Sequence, residues 1–222
     1  MSSTGPVARR SRLSWLVLGL ALTLPTVLVI RDMARRMANR GVPSAGEALA
    51  EYGVVPDFSL VERSGGPLRR ADLAGTPWLA DFVYTNCAGS CPLLSAKMAR
   101  LHRRIGDRAR LVSFSVDPAR DTPRALSAYA DRFGASPAGW LFVTGNVAEL
   151  RSLISRGFHL AVVDPPADQG ELAGTITHSE KIVLVDRDLH IRRYYDGGSD
   201  DWIAAAIADL ERLEVGAVRS SS

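Results

Sequence analysis

An α/β domain with a central mixed β-sheet flanked by helices, and a membrane-spanning helix ahead of it, is the fold class this chain predicts. Three observations carry it. Short β-branched and aromatic runs alternate with segments of helical periodicity between Pro56 and Leu213, as strands do between crossover helices. The last two apolar runs, 181–186 and 189–195, are separated by little more than Arg187-Asp188. That is a hairpin, so the sheet is mixed rather than all parallel. Near the N-terminus, residues 13–30 carry no charge and are bounded by Arg12 and Arg31.

Composition fits one good-sized domain plus an appendage. The 222 residues are 46% hydrophobic and 23% charged, ordinary for a globular protein with a core. The formal net charge is +3, but the basic side is nearly all Arg, with lysine only at Lys97 and Lys181. Much of the excess lies before Gly41. The pairs Arg69-Arg70, Arg103-Arg104 and Arg192-Arg193 are scattered, without the basic-aromatic stripe that nucleic-acid binding needs. No nucleic-acid partner is expected.

Taken in order, residues 1–12 are a basic tail and 13–30 a transmembrane anchor. A helix of that length spans roughly 27 Å, close to a hydrocarbon core of about 30 Å. It exceeds the apolar core of a usual cleaved signal, and no small-x-small site follows Ile30. Arginines on both sides leave the positive-inside rule close to a tie, and Arg9-Arg10 also admits a twin-arginine export reading. Residues 31–55 read as a short helical continuation and a linker, and 56–214 as the domain.

Within the domain, Ser64-Gly65-Gly66-Pro67 is a hairpin turn between apolar flanks. A buried strand follows at 78–84, then a helix through Ile105 and a strand at 110–116. Asp121-Thr122-Pro123 starts the next helix, with Asp or Thr as cap and Pro just inside. A strand at 139–144 and a helix capped by Asn146 come next, then a short strand candidate at 158–163 and a polar loop at 164–175. A final amphipathic helix spans about 200–213, and 215–222 reads as a disordered tail.

Chemistry concentrates at Asp81-Phe-Val-Tyr-Thr-Asn-Cys87-Ala-Gly-Ser-Cys91-Pro92. The only two cysteines sit four apart on a strand-to-helix turn, with Pro92 expected at the first helical position. Orphan N–H groups and the helix dipole favour thiolates there. The choice is between dithiol redox chemistry and a soft-metal site. Two sulfurs make an incomplete site, and among His102, His159, His178 and His190 the one best placed to complete it is His178, just before the strand at 181. Two thiolates with one imidazole suit Cu(I), and can hold Cu(II) or zinc. His102 reads as a surface residue, His159 and His190 as satisfied or exposed ones. Asp117 most simply caps a turn.

YTNCAGSCP, SVDPARDTP and THSEKIVLVD, in that order and at these separations, resemble the Sco/SenC family. The resemblance covers roughly Pro56 to Leu213. It implies a thioredoxin-like domain, held on the outer face of the bacterial cytoplasmic membrane by a single span, that delivers copper during cytochrome c oxidase assembly. It further implies Cys87, Cys91 and His178 as copper ligands, Cys87 and Cys91 as a redox disulfide pair, and Asp117 as an acidic neighbour of the site. Ala88 departs from the family, which usually has Pro after the first cysteine.

The leading expectation is therefore a copper metallochaperone, not a catalyst in the strict sense, working in Cu(I) or Cu(II). Its implied partner is oxidase subunit II at the binuclear CuA site, with a further periplasmic copper chaperone or thiol reductase upstream. The alternative is a thiol–disulfide oxidoreductase that keeps the oxidase's copper-ligating cysteines reduced. The spacing speaks mildly against it, since dedicated oxidoreductases usually carry CxxC. A thioredoxin-like peroxidase would need an activated peroxidatic cysteine with an Arg or Gln-Trp partner, a pattern this chain does not present distinctly.

Overall fold

The structure is a computed structural model that describes residues 31, 49–87, 89–163, 177–178 and 180–220. Contacts divide the chain into two compact units, 1–45 and 46–222, and every strand belongs to the second. The expected anchor at 13–30, most of the linker and the loop at 164–175 lie outside the described residues. Among the described residues no helix is long and apolar enough to cross a membrane.

The first hairpin pairs β1 (Ser59–Glu62) with β2 (Pro67–Arg69) antiparallel. Gly65, at φ 88, takes the left-handed position its turn requires. Next come β3 (Trp78–Val83), α1 (Ser90–Ile105), β4 (Arg110–Ser115), α2 (Pro123–Arg132) and β5 (Trp140–Thr144). A short α3 (Val147–Ser152) runs into a π-turn at Leu153–Gly157. The short strands β6 (Val162–Val163) and β7 (Thr177–His178) pair with each other. The fold ends with β8 (Lys181–Val185), β9 (Ile191–Asp196) and α4 (Trp202–Ser220).

Seven strands form the main sheet in the order β2-β1-β5-β4-β3-β8-β9. β3, β4 and β5 are parallel neighbours, whereas β1, β8 and β9 pair antiparallel. The sheet is mixed, as the final hairpin demands. The interior strand β3 is buried at every position, which is why it reads as one apolar run rather than an alternation.

Alternate residues face two cores. Leu79, Leu111, Phe142 and Leu184 meet α1, α2 and α4 through Leu94, Met98, Leu126, Tyr129, Ile203 and Leu210. Trp78, Phe82, Phe114 and Val183 meet Phe58, Leu150, Ile154 and Phe158 on the other side. Phe82 stacks on Phe114 at 6.0 Å between ring centres. Rings of this size bury the apolar area that dominates a core's stability.

Several boundaries differ from expectation for physical reasons. Of the two caps the sequence allows, Thr122 is the one used at α2, its Oγ1 accepting the Ala125 N–H at 3.2 Å. Asn146 caps α3 as expected, through Ala148 and Glu149. α4 runs on to Ser220. Residues 49–55, expected as linker, are tied to the edge strand β9. Tyr52 N–H donates to Ile191 O, Ile191 N–H to Gly53 O, and Arg192 to the Leu49 and Ala50 carbonyls. The last linker residues thus cover part of an edge that would otherwise present unpaired backbone groups.

Candidate metal centre

β3 delivers the chain to the site, and a short turn hands it to α1. The Cys87 N–H donates to the Tyr84 carbonyl at 3.3 Å. Gly89 is the N-cap of α1, so Ser90, Cys91 and Pro92 are its first three residues. Pro92 therefore stands third rather than first. It is still tolerated, because the first four helical N–H groups have no partner within the helix. Cys87 is half-buried and Cys91 fully buried, and neither is in a disulfide.

Donors converge on Cys87. Its sulfur accepts from the Gly89 N–H at 3.4 Å, and from the Tyr84 hydroxyl, the Cys91 N–H and the Cys91 thiol. The two sulfurs are thus neighbours. Partial burial works against the charged form of Cys87, but these donors outweigh it and hold the thiol below its ordinary pKa. Gly89 packs beside this sulfur, where a Cβ would make ordinary contact at 3.8 Å.

Cys91 behaves oppositely. Burial pushes its thiol up, and the neighbouring Cys87 sulfur and the Asp81 carboxylate add to the rise. The helix terminus is expected to favour both thiolates, but the structure divides them into one half-buried sulfur held below its ordinary pKa and one buried sulfur held above it. Tyr84 keeps its proton too, because burial and the nearby Cys87, Cys91 and Asp117 all oppose a phenolate. It remains a donor to Cys87.

Asp117 lies on the turn after β4. It is buried, its N–H donates to Ser115 Oγ at 3.1 Å, and its carboxylate accepts from Arg120 at 2.8 Å. The charge is close enough to raise Tyr84, so Asp117 borders the thiol site. His178 falls on β7, in register with Val162; its imidazole lies outside the described side chains. Among the described residues no group of three or more His, Cys, Asp or Glu is placed to hold a metal ion. The chemistry of the described donors does fit a soft cation, with two adjacent sulfurs, one ionised ahead of the other.

The remaining histidines do other work. His102 is partly buried rather than on the surface, its Nε2 3.0 Å from Ser136 Oγ and its ring against Trp140. Burial lowers its pKa. His190 Nδ1 lies 2.8 Å from a Glu51 carboxylate oxygen. His159 is exposed and sits in a turn at φ 54 rather than in a strand.

Three residues near the site were not singled out from sequence. Tyr84 is one. Asp81, wholly buried beneath the turn, accepts from Ser113 Oγ at 2.5 Å, and that oxygen accepts from Trp140 Nε1 at 2.8 Å. Burial raises its pKa to about 7. Asp121 is the third, bonded to Thr85 and Ser115.

A family model described as SCO1/SenC matches residues 47–213, which take in the cysteine turn, both aspartates of the SVDPARDTP stretch and β7. The chain belongs to the SCO1/SenC family. A SCO1 protein homolog of Bacillus subtilis is 31% identical over 164 residues, 72% of this chain and 82% of the relative. The structure of BsSco, described as having a disulfide switch and as one of the Sco proteins of cytochrome c oxidase assembly, is 28% identical with a TM-score of 0.65. It matches 75% of this chain and 98% of its own. Bradyrhizobium japonicum ScoI, solved with copper bound, is 27% identical with a TM-score of 0.61, across 72% and 99% of the two chains. These neighbours share the SCO1/SenC chain's thioredoxin-like α/β architecture.

Proposed function

We propose that this protein is a membrane-anchored copper metallochaperone. In this reading Cys87, Cys91 and His178 bind one copper ion and pass it by ligand exchange to the CuA site of cytochrome c oxidase subunit II. The observation that carries the reading is the pair of neighbouring sulfurs on the turn into α1, unequal in burial and shifted in opposite directions. The half-buried Cys87 thiolate is the first donor a Cu(I) ion would meet. The buried Cys91 thiol yields its proton only when a cation offsets the second negative charge. The copper-bound ScoI relative supports the cargo, and BsSco supports the oxidase as destination.

Residues 13–30 supply the anchor, residues 31–48 the tether, and the domain faces away from the cytoplasm, where a resting dithiol needs a metal or a reductant to stay open. Asp117 borders the site and favours a cation there. The test is a strain lacking this protein: subunit II made there lacks its binuclear copper, and the wild-type chain restores it while Cys87→Ser does not. Full copper loading in that strain without the chain would end the reading.

The split between the two thiols also favours a second activity on the same residues. Cys87 thiolate attacks a disulfide in the partner and releases one partner thiolate. Cys91 then attacks Cys87, closing the Cys87–Cys91 disulfide and releasing the second. Two electrons pass to the partner, whose sulfurs take up the protons the dithiol loses. Reduction of an oxidised subunit II domain by the metal-free protein, surviving His178→Ala, would favour this activity over metal delivery.

A further inference from the structure

We infer that Asp121 is a positioning residue for the thiol pair, holding the Cys87 turn at the end of β3 against the Asp117 turn at the end of β4. The inference rests on the reading of Cys87 and Cys91 as the working pair. Its residue belongs to an Asp-Thr-Pro run that reads, from sequence, as the start of a helix. The structure gives the capping to Thr122 and turns Asp121 inward, fully buried.

There the carboxylate joins the end of β3 to the end of β4. Its Oδ1 accepts both the Thr85 N–H at 3.0 Å and the Thr85 hydroxyl at 2.7 Å. Its Oδ2 accepts the Ser115 hydroxyl at 2.6 Å. Ser115 Oγ in turn accepts the Asp117 N–H, and Asp121 N–H donates to the Asp117 carbonyl at 2.9 Å. Thr85 is two residues before Cys87, at the point where β3 ends. No cation shares this carboxylate among the described hydrogen bonds and ion pairs; Arg120, next to it in sequence, bonds Asp117 instead.

A buried carboxylate with three short donors and no counter-ion is costly unless geometry makes it useful. Its use here is to fix Thr85, and through it the approach of Cys87 to Tyr84 and Cys91. Asp121 touches neither the sulfurs nor any ligand. It acts through Thr85.

Three variants of the full chain test this: Asp121→Ala, Asp121→Asn and Thr85→Val. Two equilibria are read on each folded protein: the Cys87–Cys91 disulfide against glutathione, and Cu(I) competition with a chromophoric chelator. Melting temperature is read alongside. Asp121→Ala is expected to shift the disulfide equilibrium about tenfold, the size of one lost charge-assisted hydrogen bond. Thr85→Val shifts it by less, and Asp121→Asn, whose Oδ1 still serves Thr85, stays nearest to wild type. If Asp121→Ala does not fold, Thr85→Val decides. Variants that lower the melting temperature while both equilibria stay within about twofold of wild type would reduce Asp121 to a packing residue and overturn the inference. If wild type binds no copper but the disulfide equilibrium moves in the expected order, the copper reading fails and the positioning role stands.

Discussion

Asp209, on α4, and Asp81, beneath the cysteine turn, are both buried carboxyl groups, but their surroundings differ in kind. Asp209 accepts from Arg193 at 3.0 Å, Arg212 at 2.8 Å and the Tyr195 hydroxyl at 2.8 Å. Asp81 has one neutral donor, Ser113, and its Oδ2 has no hydrogen-bond partner among the described residues. Its charged-state neighbours are Cys91 and Tyr129, both of which it pushes toward their protonated forms. Asp121 nearby is likewise bound by hydroxyls and an N–H rather than by a cation. One region closes its charges with arginine and is complete. The other holds Asp81 and Asp121 beside the thiol turn on neutral donors among the described hydrogen bonds and ion pairs, and its arginine, Arg120, sits on Asp117. Burying a charge without a partner is the costlier arrangement, so the contrast locates where the fold gives up stability.

The largest expected effect breaks the second region outright. Cys87→Ser or His178→Ala abolishes stable copper binding with the fold intact, as read by metal analysis after gel filtration beside far-UV circular dichroism. Breaking the first region does the opposite. Asp209→Ala leaves Arg193, Arg212 and the Tyr195 hydroxyl without their shared acceptor and costs about 3 kcal/mol of stability. Urea unfolding measures that cost, while the iodoacetamide reactivity of Cys87 is unchanged.

Asp81 sharpens the contrast through pH. Its folded-state pKa of about 7 stands above the ordinary 3.8, so between those values the folded state holds a proton the unfolded chain has released. Stability contributed at this site is therefore present at low pH and lost as pH rises through 7. Asp81→Asn removes the loss and is expected to gain about 2–4 kcal/mol relative to wild type between pH 4 and pH 8. Denaturant titrations at the two pH values check it; equal slopes in both proteins would mean Asp81 is not the titrating group. The smallest effect is at Tyr84. Tyr84→Phe removes one donor to the Cys87 sulfur, so the thiol pKa rises and alkylation at pH 7 slows by about two- to fivefold. An unchanged rate would show that the backbone donors suffice.

Much of this fold was legible in sequence, because burial on both faces writes strands as apolar runs. The 78–84 and 110–116 runs became β3 and β4 nearly as read, and the strand-turn-helix around the cysteines followed from the same logic. What the pattern could not carry was polarity hidden inside it. Asp81 sits within an apolar run whose every residue is buried, and its partner Ser113 stands opposite it on the neighbouring strand β4, 32 residues away in sequence. The short-range rule that fits Asp-Thr-Pro allows Asp121 or Thr122 as cap and gives Asp121 no other partner. The competing long-range bond to Thr85, 36 residues away, is invisible locally. The thiol pair was found, yet its asymmetry depends on Tyr84 and on burial, which spacing does not encode. The family resemblance was borne out by a match over residues 47–213.

The most direct measurement is copper stoichiometry with X-ray absorption ligation on the reduced protein under anaerobic conditions, wild type beside His178→Ala. The account predicts one copper per chain with sulfur and nitrogen donors in wild type, and loss of the nitrogen donor and of tight binding in the variant. One tightly held copper with unchanged ligation in His178→Ala would contradict the three-ligand centre. No copper in wild type, with a reversible Cys87–Cys91 disulfide, would make the dithiol a reductant instead.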